Sequence, residues 1–134
     1  YYGLGPVESY QDKRKASYHD EFHANVKDLH EDYIRPQENG SHDECDYVKA
    51  EGSRISLAAV SADTFAFNAS VYTQEELTEK AHNYELNASP YTVLCLDHRQ
   101  NGIGSNSCGP RLLEQYRFAE NEFTFAISLL PVVK

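Results

Sequence analysis

Apolar and polar positions alternate through much of the C-terminal two-thirds of the chain. Thr64 to Tyr72 sets Phe65, Phe67, Ala69 and Val71 on one side, with Thr64, Ala66, Asn68 and Ser70 on the other. Glu122 to Leu129 does the same with Phe123, Phe125, Ile127 and Leu129. Arg54 to Val60 carries Ile55 and Leu57 in alternation, and Tyr91 to Asp97 is a short run of apolar and β-branched residues. Successive strand side chains point to opposite faces, so these runs predict strands with one buried face. A helix interrupts them. Thr73-Gln74-Glu75-Glu76 forms a capping box, in which Thr73 accepts from the Glu76 N–H and Glu76 reaches back. Leu77, Ala81 and Tyr84 then share a helical face, and Pro90 stops any continuation. Together they predict an all-β sandwich with one short surface helix.

The stretch from His19 to Tyr33 reads differently. Phe22, Val26, Leu29 and Tyr33 recur at spacings of four, three and four, which is an amphipathic helix pattern. The same stretch is crowded with acids and histidines, which leaves the local reading open.

The chain has 134 residues, enough for one domain with its own core, and 40% apolar content places it among globular proteins. It contains no methionine, and Tyr1-Tyr2-Gly3-Leu4-Gly5-Pro6 reads as the middle of a domain, so we expect a piece of a longer or processed chain. The net charge is -9, and twelve of the 21 acids lie between Glu8 and Glu51. That excess repels polyphosphates, so nucleic acid is not an expected partner. No apolar run approaches the ~20 residues of a membrane helix, so no membrane partner is expected. Cys45, Cys95 and Cys108 are odd in number and form no CxxC pair, which argues against a disulfide framework or a structural zinc site and fits a cytoplasmic home. Asn-x-Ser triplets start at Asn39, Asn68 and Asn87 and matter only in a secretory pathway.

Candidate chemistry is sparse. His19-Asp20-Glu21-Phe22-His23 comes close to the zinc motif H-E-x-x-H. That chemistry needs Glu directly after the first His, and Asp20 stands there, which favours solvated histidines over a metal site. Glycoside hydrolysis needs two facing carboxylates. Glu8, Glu38 and Asp97 are candidates, but no context singles out a pair, and surface or turn acids are the simpler reading. Cys108 lacks a nucleophile elbow and reads as packing rather than as a nucleophile. Gly102-Ile103-Gly104-Ser105-Asn106 lacks both the third glycine of a dinucleotide fingerprint and the GK[ST] of a P-loop, so it reads as a turn. The residues alone lead to a soluble all-β domain without evident catalytic apparatus.

Three stretches carry a resemblance. Gly3-Leu4-Gly5-Pro6-Val7-Glu8-Ser9-Tyr10-Gln11-Asp12-Lys13 resembles the G-x-G-P-x-E-x-Y-x-D-[RK] stretch in the last domain of the long-chain β-galactosidases of glycoside hydrolase family two. Tyr33 to Gly40 is similar to that domain's Y-x-x-P-[QS]-E-N-G segment, and Gly102 to Pro110 to its G-[IV]-G-G-D-D-S-W loop. The resemblance covers essentially the whole chain, 1–134, as the C-terminal portion of the domain called the small chain.

It implies an antiparallel β-sandwich, a supersandwich of the galactose mutarotase type, with an extended segment in place of a His19–Tyr33 helix. It also implies a non-catalytic part of an enzyme that hydrolyses terminal β-D-galactosides such as lactose with retention. The catalytic glutamates would lie in a separate barrel domain or large subunit, the expected partner, within a homo- or hetero-oligomer. No cofactor is expected in this chain. Magnesium, with sodium as a second candidate ion, would be bound by the catalytic domain. One position transfers to the galactoside: Cys108 stands where the family often has a Trp that forms a platform for the sugar. Ser105 and Asn106 depart from the family's pattern too. A thiol offers far less stacking area than an indole, so Cys108 would serve as a wall. Glu38-Asn39-Gly40 would be a turn with an interior structural role at least as plausible as substrate contact. Two other functions remain open: a stand-alone carbohydrate-binding module, and a mutarotase-like enzyme.

Overall fold

The computed structural model describes residues 1–103 and 111–134. Six strands form one antiparallel sheet: β1 (Tyr2–Gly5), β2 (Tyr18–Glu21), β3 (His42–Glu51), β4 (Ile55–Ser70), β5 (Val93–Asp97) and β6 (Ile127–Val133). The order is β2-β1-β3-β4-β5, with β6 also paired to β4. The all-β antiparallel class with one short helix, α1 (Gln74–Glu79), is as expected.

β4 organises the sheet. The two runs read as separate strands, Arg54–Val60 and Thr64–Tyr72, are parts of one strand of 16 residues. One edge pairs with β3 from His42↔Phe67 to Glu51↔Ser56, with register shifts around Cys45. The other edge is shared: Ile55–Ser61 pairs with β6, and Ala66–Ser70 with β5. The central position of β4 in the sheet explains why its alternation breaks down toward its C-terminal end. Phe65, Ala66, Phe67 and Asn68 are all buried, because both faces are covered there. Cys45, Val48, Ala59, Phe65 and Phe67 form the core, with Tyr1, Ala69, Leu94, Leu96, Phe125 and Ile127 packed around it.

The extended segment that the resemblance implies in place of a His19–Tyr33 helix is present: β2 leads into a single 3₁₀ turn, Val26–Leu29. Two readings need correction: the alternation pattern marks none of β1, β2 and β3 as strands. The final strand starts at Ile127, not at Glu122, and runs through Pro131 opposite Leu57. Proline lacks an N–H and is tolerated because, among the described residues, β6 pairs with β4 alone.

The helix is also shorter than its periodic pattern. Thr73 Oγ1 accepts from the Glu76 N–H at 3.1 Å, as expected. The Glu76 carboxylate does not close the box; it accepts from Asn87 N at 2.8 Å instead. Leu77 is buried, but Lys80 ends the helix, so Ala81 and Tyr84 lie beyond it. Thr73→Ala should lower stability by about 1 kcal/mol, measured by urea unfolding, since it orphans one end N–H.

Candidate functional site

Among the described residues a polar network lies beside β1 and begins at Glu8. The Glu8 carboxylate is buried, at 2% exposure, which corrects the reading of it as a surface or turn acid. Burying a charge is unfavourable unless it is paired and hydrogen-bonded. Here Lys13 Nζ donates to Oε1 at 2.6 Å and the Gly40 N–H donates to Oε2 at 2.8 Å. The Tyr33 hydroxyl donates to Oε1, and Tyr10 Oη lies 3.4 Å from Oε2. Burial pushes the Glu8 pKa up, but the hydrogen bonds from Lys13, Tyr33 and Gly40 outweigh it, and the carboxyl sits below its ordinary value. Burial and the adjacent carboxylate raise the Tyr10 and Tyr33 pKa values, so both remain protonated donors.

Two of the three resembling stretches therefore meet at one carboxylate. Gly40 takes φ +69°, and a Cβ there would come 2.5 Å from the Leu29 carbonyl oxygen. Glycine is what allows the turn to present its N–H to Glu8. Its neighbours brace the turn. Asn39 Oδ1 accepts from the Glu31 N–H at 2.9 Å, and Glu38 Oε1 accepts from Asn68 Nδ2 at 2.9 Å. Asn39 and Gly40 of this turn are buried, and Glu38 is exposed. Asn39 and Asn68 are buried and engaged, so of the three Asn-x-Ser triplets only that at Asn87 has an exposed Asn.

The network continues to the third stretch. Tyr10 and Lys13 exchange backbone hydrogen bonds, each at 3.0 Å, and close a tight turn over Gln11 and Asp12. Gln11 Nε2 donates to Asp43 Oδ2 at 2.6 Å, and Asp12 Oδ1 accepts from the Ile103 N–H at 2.9 Å. Gly102 is buried, and a Cβ on it would fall on the Asp12 carboxylate. Cys108, the expected substrate-facing residue, lies outside the described residues, as do Ser105 and Asn106.

The other candidates do not assemble a reaction centre. His19 sits on strand β2, with its Nε2 2.9 Å from the Glu44 carbonyl oxygen, and the side chain of His23 is 87% exposed, so the helical zinc geometry is not formed. Among the described residues no group of three or more His, Cys, Asp or Glu gathers to hold a metal ion. Asp97 accepts from Gln100, and Glu38 from Asn68. Cys45 is fully buried, and burial with nearby Asp43 pushes its pKa up to about 12; burial likewise raises Cys95 to about 11. Both are free thiols held in the unreactive protonated form. An open hollow of about 680 Å³ lies on the sheet face over Tyr1, Phe22, Val48, Phe67 and Leu94. Among the described residues no helix is long and apolar enough to cross a membrane.

Sequence reading missed Tyr10, Asp12, Lys13 and Tyr33 as a working group. The signal was available: Glu8, Tyr10 and Asp12 stand at alternate positions of the first resembling stretch, with Lys13 next.

The fold and this network define an antiparallel β-sheet chain in which a buried, hydrogen-bonded carboxylate links the Tyr10–Lys13 and Gly40 turns. Residues 1–129 match the family model described as the β-galactosidase small chain, and the chain belongs to that family. It is 50% identical over 130 residues to a β-galactosidase of Actinobacillus pleuropneumoniae, covering 97% of this chain and 12% of that protein. A β-galactosidase of Staphylococcus xylosus is 44% identical over 129 residues, covering 96% of this chain and 13% of its own length. A third, from Lactococcus lactis, is 32% identical over 129 residues, again spanning 13% of that protein. The chain thus spans about an eighth of the length of these relatives.

Proposed function

We propose that this chain is the C-terminal portion of a β-galactosidase small chain and serves hydrolysis of terminal β-D-galactosides without supplying the catalytic carboxylates. It completes one wall of the sugar site and helps hold the catalytic barrel or large subunit. The reaction is two-carboxylate retaining hydrolysis, carried out by groups of that partner, which also binds magnesium. Cys108 forms part of the wall. The observation that carries this reading is that Glu8 accepts from the Gly40 N–H and from Lys13, while Asp12, in the same Tyr10–Lys13 turn, accepts from the Ile103 N–H. It ties all three resembling stretches together and fixes the root of the stretch that contains Cys108.

The test is complementation. A β-galactosidase truncated before the segment equivalent to this chain is co-expressed with and without it, and hydrolysis of a chromogenic galactoside is measured. Activity should depend on the chain by at least about tenfold, the scale on which correct placement of a binding group changes rate. Equal activity in its absence would reject the reading.

A further inference from the structure

β6 carries apolar residues on both of its faces, and both faces are open. Its sequence is ISLLPVV, and every residue from Ser128 to Val133 is exposed. A strand with one face in water alternates apolar with polar, whereas a run that is apolar at both parities belongs to a strand buried on both faces. Residues directly opposite each other in an antiparallel ladder share a face. Leu129 lies opposite Ala59, and Val133 opposite Ile55. That face is the core's, because Ala59 is fully buried in the core cluster. Leu130 lies opposite Ala58 and Val132 opposite Ser56, on the other face. Leu129 and Leu130 are each 51% exposed, Val132 56%, Ile55 57% and Val133 78%. Large apolar groups left side by side in water mark a contact surface.

The outer edge of β6 is closed to a further strand. The Lys134 N–H donates to the Arg54 carbonyl oxygen at 2.9 Å, so it points toward β4. Backbone N–H groups point alternately to the two edges of a strand, and the register of β6 on β4 is continuous from Ile127 to Val133. The outward positions are therefore Ile127, Leu129, Pro131 and Val133. Pro131 has no N–H to give and interrupts any ladder added there.

We propose that β6 is an internal strand of the whole β-galactosidase, with both faces packed against apolar side chains of the enzyme outside the span of this chain. This rests on the reading above and names part of the surface by which the chain is held. The match to the Actinobacillus pleuropneumoniae protein covers 12% of its length, and the rest of that polypeptide is available as cover. A second copy of this chain fits less well. A two-fold contact uses the same patch on both copies, which covers one face of β6 and leaves the opposite one in water. Joining two copies edge to edge is blocked at Pro131.

The experiment uses the full-length enzyme. Val132→Cys and Val133→Cys place one thiol on each face with little change in volume, and labelling by a thiol reagent is located by peptide mass spectrometry. Both thiols should react at least about a hundredfold more slowly in the native enzyme than in urea, as groups that must wait for local opening. Rapid labelling of either in the native enzyme would overturn the proposal. The occupant is identified by replacing Leu130 with a diazirine amino acid, irradiating the native enzyme and mapping the cross-linked peptide. A cross-link to a segment of the enzyme outside this chain is the expected result, and one to residues of a second copy of this chain would overturn it. These outcomes are separable from failure of the broader reading. If hydrolysis needs the chain in the complementation test and yet either thiol labels freely, only the burial of β6 fails.

Discussion

Replacing Glu8 by alanine is expected to lower the unfolding free energy by about 3 kcal/mol, the lower end for removing one partner of a buried ion pair. The lower end applies because Lys13 keeps 43% side-chain exposure and can turn to water once its partner is gone. The Tyr10 and Tyr33 hydroxyls and the Gly40 N–H have less freedom. They lose their acceptor where little water reaches, and an orphaned buried donor costs more than the bond itself contributed. Urea unfolding at neutral pH measures the loss, and Glu8→Gln separates its parts. Glutamine retains one acceptor oxygen but brings an amide against donors, so it should be destabilised as well, though less than alanine.

The same variant gives a pH signature. The folded Glu8 pKa lies below its ordinary 4.5, so the stability it contributes is present above that value and is lost as pH falls through the folded pKa. Tyr10 and Tyr33, which face it together with the Lys13 ammonium, have pKa values raised further away from that range. The gap in stability between wild type and Glu8→Gln should therefore be constant near neutrality and narrow below about pH 4.5. A gap independent of pH down to pH 2 would mean that the carboxylate is not held ionised by its donors.

How much of this was legible depended on what fills each buried position. β4 was readable because phenylalanine and alanine alternate with polar residues at its ends. It was read as two strands because Ser61, Ala62 and Asp63 interrupt the pattern, although tertiary pairing on both edges carries the strand across. β3 was invisible for a chemical reason. Its sequence, HDECDYVKAE, buries His42, Asp43 and Cys45, and a hydrophobicity pattern does not count such residues as core. They are internal because each has a partner: His42 Nδ1 faces the Leu4 carbonyl oxygen at 3.0 Å, and Asp43 accepts from Gln11. Partners like these are long-range and leave no local trace. The Val26–Leu29 segment failed in the opposite sense, since its helical spacing was real but yields only a 3₁₀ turn. Composition located no site, and Glu8 looked like any other acid. Only the resemblance marked its stretch, and only the structure showed that Glu8, Gly40 and Ile103 belong to one network.

Phe67→Ala should be the most damaging apolar substitution, at about 3–5 kcal/mol by denaturant unfolding. Phe67 is 1% exposed toward the C-terminal end of β4, opposite His42 in the ladder. Its ring stacks on His42 with centroids 5.3 Å apart, and Tyr1 meets it edge-on at 5.1 Å. His42 sits on the backbone of β3, and Tyr1 is held beside β1 by its hydrogen bonds to Phe22, so neither can collapse far to fill the void and the cavity contribution should be large. Phe67→Leu keeps most of the volume and should cost less than about 1.5 kcal/mol. A second consequence concerns His42, whose pKa burial holds below its ordinary 6.5. As pH falls below 6.5, the unfolded state takes up a proton that buried His42 resists, so wild-type stability declines there. Phe67 also lines the open hollow on the sheet face. Its removal lets water from the hollow reach the imidazole and moves the His42 pKa back toward 6.5. NMR titration of His42 in Phe67→Ala should show that upward move, while Phe67→Leu, which keeps the ring of His42 covered, should leave it low. An alanine variant that is destabilised as expected but leaves His42 titrating as in wild type would mean that the core closes over the void and that Phe67 does not exclude water from the imidazole.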